Sequence, residues 1–558
     1  MAVALVAACW LAIGSGNALA DTFTVTSTAD SGNGTLRWAL EEAGNRPGED
    51  TIGFAASVTG TINLQTPLPA IGGELAINGP GRDQLTVRPA DDAEMPGDGV
   101  FRLITVTATG DVKISALALR DGRNHFFSGP QGGAILNHGK LRLHDVEVSG
   151  SEVRAQPGFP GHQVRGGAIY SEGELEIRNS VIRDNVASTG GMTGGARGGG
   201  IYVSGKFGMF DTAVTGNVLE AEDPDDSGGA AILVADGDAT ISRSYIAGNR
   251  GPDPTPLKPI AAISNIAADL TINATTITGN DGGVNFHTVG HTRILNSTLV
   301  GGEEGTGPNL AVIPLDRGPL LYLGSSILVA ADGWPNCDVA DLGEGVSFSL
   351  GNNIADDTSC ARSHCGQRAA ELPDGKCRFL DARFGDRQGI DPGIGPLIEA
   401  ELPYFPLQVG SPAINRGNSF GYGRDQLGNR RPRGCPTGKG VDGSDIGAIE
   451  SAAVKCRKPK ANQVGGRYRM RITSPGNGRL ILTGPGLKKV TRNVAARKPI
   501  RVQLRPKPAL RRRIDRNHRV TLHVKVRIKA PWGETLVKTR RVTLKDGPTV
   551  VQAPKRGS

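Results

Sequence analysis

The chain has 558 residues, sets 63 Lys and Arg against 55 Asp and Glu, and carries a formal net charge of +8 at pH 7. Aromatic residues make up only 4% of it, which argues against the aromatic-lined clefts of sugar-degrading enzymes. Beyond the first twenty residues no apolar run reaches the roughly 18 needed to cross a bilayer, so a later membrane-spanning helix is excluded.

The first twenty residues are apolar and close on Ala18-Leu19-Ala20 before Asp21, a small-residue cleavage pattern. Residues 1–20 are read as a signal peptide without the usual basic start, and the mature protein as secreted, extracellular or at the cell surface. Residues 21–100 are read as an N-terminal cap with the first coils of a solenoid. Thr35 is placed to cap a short helix in which Leu36, Ala39, Leu40 and Ala43 share adjoining faces. That helix, with strands near 51–64, suits a lid, because an unpaired first rung would template aggregation.

From 101 to 335 a phrase recurs every 31–34 residues or so: Gly133-Ala134-Ile135, Gly167-Ala168-Ile169, Gly199-Gly200-Ile201, Ala230-Ala231-Ile232 and Ala261-Ala262-Ile263. An interval of that size signals a solenoid, whose copies stack into one hydrophobic column. Behind each phrase stand alternating pairs that align as Leu141/Leu143, Leu175/Ile177, Phe207/Met209, Ala239/Ile241, Leu270/Ile272 and Thr292/Ile294. A further apolar residue follows in each copy: Val148, Ile182, Val214, Ile246, Ile277, Leu299. Period-two alternation in short runs broken by Gly and Asn argues parallel rungs of β-strand. Asn185, Asn217, Asn249 and Asn280 recur once per coil and are read as a structural ladder; Asn tolerates left-handed turns, and stacked amides can bond from rung to rung. Segments 152–165, 187–197, 218–227 and 250–259 are read as exposed loops leaving one side of the column. Tyr170 and Tyr202 fall in register and are expected to stack.

Residues 336–452 are loop-rich and contain Cys337, Cys360, Cys365, Cys377 and Cys435, with Cys456 just beyond. An even number of cysteines in an exported chain reads as disulfides. The favoured pairing is Cys337–Cys360 and Cys365–Cys377, leaving Cys435–Cys456. Asp425, Asp442, Asp445 and Glu450 are expected to tie down Gly-rich turns; no cofactor is expected, although these carboxylates would admit a structural calcium ion. From Arg457 to the end, 29 Lys and Arg face three acids, a charge of +26, leaving −18 for the rest of a chain whose total is +8. Within 457–558, runs such as Tyr468–Thr473 and Val520–Ile528 alternate like strands of a small immunoglobulin-like β-sandwich.

The GGAI-type repeats ending in Asn resemble right-handed parallel β-helix proteins and the repeats of polymorphic outer-membrane proteins. Phe23 to Asp30 followed by Gly34-Thr35-Leu36-Arg37-Trp38-Ala39-Leu40 resembles the CSLREA motif that opens many secreted β-helix proteins, without its Cys and Ser. Asp391 to Pro396, Leu407 to Asn415, Asp425 to Pro432 and Asp445 to Glu450 resemble the closing segment called choice-of-anchor Q. The resemblance implies an all-β fold: a right-handed, single-stranded parallel β-helix with an N-terminal cap and a disulfide-containing closing segment, to which the basic β-sandwich is appended. It implies secretion or surface display and no agreed activity.

Two functions remain open at this point. One is a non-catalytic surface protein for binding or adhesion to glycan or cell-wall polymer, with the basic domain drawn to acidic cell-wall polymer or extracellular polysaccharide. The alternative is a polysaccharide lyase or glycoside hydrolase on a pectate-lyase-like β-helix. Its best candidates are Asp145 and Asp211, with Arg178: the column Asp145, Asn179, Asp211 stacks on rungs about 4.8 Å apart, and glycosidase carboxylates stand roughly 5–9.5 Å apart. Those positions suit turn-forming Asx residues equally well. Sequence-specific nucleic-acid recognition is not expected, since stacking aromatics are nearly absent from the tail.

Overall fold

The structure is a computed structural model that describes residues 20–91, 101–125, 129–156, 163–191, 193–223, 226–252, 261–281, 284–287, 291–301, 307–313, 320–339, 346–361, 379–434, 440–451, 462–464, 468–473, 478–495, 499–517, 519–529 and 535–545. The expected signal peptide and Cys365, Cys377, Cys435 and Cys456 lie outside these residues.

Each coil repeats the same short strands, and each strand pairs in parallel with its copy one coil on. A first ladder starts at Thr22–Val25 and Glu49–Phe54 and ends at Leu320–Gly324 and Val346–Gly351. A second runs from Gly60–Leu64 to Ile354–Ala355. A third, of nine strands, starts at Ile104–Val106 and ends at Cys337–Val339. The register sets Leu141 against Leu175, Leu175 against Phe207, and Phe207 against Ala239. In the second ladder Val148, Ile182, Val214 and Ile246 align in the same way. This is the alignment read from the repeats, and its cause is plain: alternate side chains point inward, and the inward set of every coil is apolar. Ile169, Ile201, Ile232 and Ile263 from the third ladder meet them, all fully buried in one continuous core. Burying a side chain of this size contributes about 2–3 kcal/mol.

The amino-terminal end is closed by helix α1, Leu36–Gly44. Its Thr35 cap accepts from the Trp38 amide at 3.2 Å, and Leu36, Ala39, Leu40 and Ala43 are buried. Trp38 meets Phe23 edge to face at 6.1 Å. The strands near 51–64 are not part of the lid; Glu49–Phe54 is the second rung of the first ladder and Gly60–Leu64 the first rung of the second.

Where they are described, the side segments pair as strands and are not exposed loops; 253–259 of the fourth segment lies outside the described residues. Arg123–Asn124, Glu152–Arg154, Val186–Ser188 and Val218–Glu220 form a four-stranded parallel sheet, and Val164–Arg165 pairs with Ala196–Arg197. Val153, Val164, Ala187, Ala196 and Leu219 are buried between them in a second, narrow core. These segments therefore build a ridge beside the column.

At the far end Cys337 and Cys360 form a disulfide. The chain then turns back, and 394–434 and 440–446 run as a strap along the outside of the second ladder. Ala413 and Ile446 pack on Ile327 and Ile354, and farther along Leu397 and Leu402 reach Val181, Ala213 and Tyr245. The Ala448 amide donates to Thr298 at 2.9 Å, and the Asn418 amide to Ser325 at 2.7 Å.

The terminal region has its own core and opposite strand logic. Asn462–Val464, Arg469–Thr473 and Pro499–Gln503 form one antiparallel sheet; Val490–Val494, Gly478–Thr483, Arg519–Lys529 and Thr535–Lys545 form another. Helix α2, Pro508–Asn517, buries Leu510 and Ile514 against them. The alternating runs become strands, while α2 has no counterpart in the sequence reading.

Candidate functional site

Between the first and second ladders the chain turns each coil on one residue in the left-handed region. Asp145, Asn179 and Asp211 occupy that corner with φ of 56°, 50° and 50°, and Arg243, Ala274 and Asn296 continue it. Short polar side chains tolerate this conformation best, which accounts for the column of Asx residues. From Asn179 onward the next residue at these corners is Ser or Thr. The Val146 amide donates to Ser180, Ser180 to Thr212, Thr212 to Ser244 and Ser244 to Thr275, at 3.1–3.4 Å. Thr275, Ser297 and Ser326 extend this hydroxyl ladder. The sequence reading missed it; the signal is the pair Asn179-Ser180, Asp211-Thr212, Asn296-Ser297 recurring with the coil.

The candidate acids stand on this column, two rungs apart with Asn179 between them, about 9.6 Å by rung spacing. Neither is unpartnered. Arg243 grips Asp211 through two bonds of 2.7 and 2.6 Å. Arg82 Nε lies 3.5 Å from Asp145, while its other nitrogens reach the Asn179 carbonyl at 3.0 Å and Glu401 of the strap at 3.4 Å. Arg178 donates to Glu176 at 2.7 and 3.2 Å and lies 4.1 Å over the Phe210 ring. Arg183 bonds Glu147 and Asp184. The corner thus has the right residue types, held by ion pairs that fix the turn.

The Asn ladder lies at the next corner. Asn185 donates to Asn217 at 2.9 Å, Asn217 to Asn249 at 2.8 Å and Asn249 to Asn280 at 2.8 Å. Each amide also donates to a backbone carbonyl of the preceding coil, as Asn217 does to Ile182 at 3.1 Å. The left-handed residues here are Asp184, Gly216, Gly248 and Gly279, immediately before the Asn. Hydrogen bonding, and not tolerance of left-handed angles, is what these amides supply.

On the third face Tyr170 and Tyr202 stack at 5.0 Å, nearly parallel. The Tyr170 hydroxyl donates to Glu172, which also meets His138 Nδ1 at 2.9 Å. Burial and Glu172 push the Tyr170 hydroxyl well above the usual tyrosine range, and the Tyr170 bond holds Glu172 below the usual carboxylate range. Both rings are buried, so they are packing and not a platform for sugar.

In the closing segment Asp425, Asp442 and Asp445 accept backbone amides: Asn429 at 2.6 Å, Ser444 at 2.8 Å and Asn415 at 2.6 Å. Glu450 and Arg431 are fully buried side by side, 3.5 Å apart. Burial, outweighing Arg431, pushes Glu450 up to about 8. Among the described residues no group of three or more His, Cys, Asp or Glu side chains converges as a metal site, and no helix is long and apolar enough to cross a membrane. These carboxylates spend their oxygens on amides.

No family model matches the chain, and no curated protein matches it. Among solved structures, the crystal structure of pectate lyase Pel9A aligns at 13% identity with a TM-score of 0.39, covering 78% of this chain and 98% of that one, a remote likeness.

Proposed function

We propose that the chain is an exported, non-catalytic β-solenoid of the bacterial surface or its surroundings, whose basic terminal domain binds acidic cell-wall polymer or extracellular polysaccharide. The shaft then serves as a rigid, ridge-bearing arm. The observation that carries this reading is the partition of charge: +26 on the last 102 residues against −18 on everything before them. A cationic domain concentrates on polyanions through long-range attraction and counterion release. The corner carboxylates support the non-catalytic part, because each is already paired with an arginine. The CSLREA-like and choice-of-anchor-like stretches add the expectation of secretion.

The test is co-sedimentation of the full-length protein with purified cell wall and with acidic and neutral glycans, at rising salt. Retention on acidic polymers that falls as salt screens the charges is expected. Equal retention on neutral polymers would overturn the reading. Release of sugar from any acidic glycan, lost in Asp145→Ala or Asp211→Ala, would restore the enzymatic alternative.

A further inference from the structure

The four-stranded sheet of the terminal domain has one face turned to its core and one turned out. Along Arg519–Lys529 the alternation is strict: Val520, Leu522, Val524, Val526 and Ile528 are buried, and the residues between them face outward. The antiparallel register places these outward residues beside those of the neighbouring strands. Arg479 stands opposite Lys529, Ile481 opposite Arg527, and Thr483 opposite Lys525. On the other side His523 stands opposite Arg541 and Lys525 opposite Thr539. Neighbouring cations are about 6.8 Å apart along a strand and about 5 Å apart across strands. None of these outward register positions holds an Asp or Glu. At the outer corner a shallow depression of about 460 Å³ is lined by Arg479, Thr491, Arg492 and Asn493.

Like charges set directly opposite one another destabilise a sheet. A surface adjusted for solubility alone would intersperse both signs, as the shaft does with Lys206–Glu174 and Arg178–Glu176. This face keeps an unfavourable pattern that an anionic occupant would turn into a favourable one. The residues between the cations indicate which anion. Beside Ile481 and Val537, which flank Arg527, they are Thr483, Thr491 and Thr539, with Asn493 at the edge, and these polar groups exchange hydrogen bonds with hydroxyls. Arginine meets carboxylates in a planar, two-bond geometry. Among the described residues the face carries no Phe, Tyr or Trp on which a nucleic-acid base could stack, and a flat sheet offers no element to enter a duplex groove.

We propose that this outward sheet face, centred on Arg479, Lys525, Arg527 and Lys529, is the binding surface for a linear polysaccharide bearing carboxylates. The proposal deepens the polymer-binding reading above and rests on it. A stretched polyuronate chain lying across the strands meets a cation between two hydroxyls at Thr483, Lys525 and Thr539 and an adjoining pair of cations at Arg479 and Lys529.

The experiment measures binding of full-length protein to polygalacturonate by affinity electrophoresis across a salt series. One variant carries Arg479→Gln, Lys525→Gln, Arg527→Gln and Lys529→Gln. A control removes the same charge from exposed positions of α2: Arg511→Gln, Arg512→Gln, Arg513→Gln and Arg516→Gln. The face variant is expected to bind about tenfold more weakly with a flatter salt dependence, and the α2 variant within about threefold of the parent. Equal losses in both would overturn the assignment of the face while leaving the charge-driven reading intact. Parent protein that holds no acidic polymer at all would sink the broader reading together with this one. Should the parent prefer DNA to polygalacturonate at equal salt, the ligand class is wrong. A milder variant, Thr483→Val with Thr539→Val, guards against misfolding. It is expected to weaken polygalacturonate binding about threefold and leave polyphosphate binding unchanged; equal weakening of both would remove the hydroxyl argument.

Discussion

The shaft and the terminal domain are both built from alternating strands, yet they treat charge in opposite ways. In a parallel solenoid every position faces its counterpart one coil away, so a charge on one rung needs an opposite charge at that counterpart or in a neighbouring column. The shaft supplies it: Lys113 meets Glu49 at 3.0 Å, Lys206 meets Glu174 at 2.8 Å, and Arg243 meets Asp211 at 2.6 Å. Amides and hydroxyls, which bond well to copies of themselves, fill the corners. In the terminal domain an antiparallel register sets Arg479 against Lys529 with no acid on that face. The first arrangement is complete in itself. The second sets like charges face to face, a pattern that the proposed anionic polymer would complete.

The sharpest way to break the shaft's self-sufficiency is to cut its amide ladder. Asn217 donates to Ile182 and Asn249 and accepts twice from Asn185. Asn217→Leu removes these four buried bonds; Asn249 Oδ1 keeps the Asn217 backbone amide and Asn185 Nδ2 keeps the Val148 carbonyl, and each group left unpaired costs about 1–3 kcal/mol. We expect a loss of about 4 kcal/mol or more in the shaft's urea transition. Because the two regions have separate cores, the terminal domain's amides should keep their hydrogen-exchange protection. Loss of protection in both would mean that the comparison treats one cooperative unit as two.

How much of this could be read in the sequence follows from the same contrast. Repetition made the column legible: Leu141, Leu175 and Phe207 align by eye because each coil is a template for the next. The ridge was hidden, since strands of three residues with one buried side chain, such as Val153, Ala187 or Leu219, are too short for alternation to register. The strap was hidden for another reason. Its residues have no period of their own and take their places from partners far off in sequence, as Gln426 does from Thr276, 150 positions away. At the corner the residue types were legible and their role was not. Asp211 and Arg243 occupy the same position in successive coils, 32 residues apart; extending the column by one copy would have revealed the ion pair.

The far end of the shaft offers two smaller effects. Cys337 and Cys360 close a loop of 23 residues. Replacing both with Ser is expected to cost about 3 kcal/mol through the freedom returned to the unfolded chain, read as a lower urea midpoint that reducing agent no longer shifts. Glu450 brings a pH dependence. Its folded value of about 8 lies above the ordinary 4.5, so the buried site favours the protonated form. The stabilisation is complete below about pH 4.5 and is lost as pH rises toward 8. Hydrogen exchange of 425–450 should therefore quicken over that window, and Glu450→Gln should flatten the profile. A Gln variant with the parent's pH dependence would place the titrating group elsewhere.

The smallest effect separates the two regions by sign. Arg243→Ala removes the cation that answers Asp211, and partly exposed pairs of this kind contribute up to about 1 kcal/mol, so the shaft should lose a few tenths. Lys529→Thr removes a cation that stands against Arg479, and relief of a like-charge cross-strand pair is worth a similar amount in the opposite direction, so the terminal domain should gain. Added salt screens both interactions and should bring each variant toward its parent. Anionic polymer should instead reverse the second result, since Lys529 then has a counter-charge to lose. If Lys529→Thr destabilises the terminal domain in polymer-free buffer, its cations are already answered within the chain, and the face has no vacancy for an anion to fill.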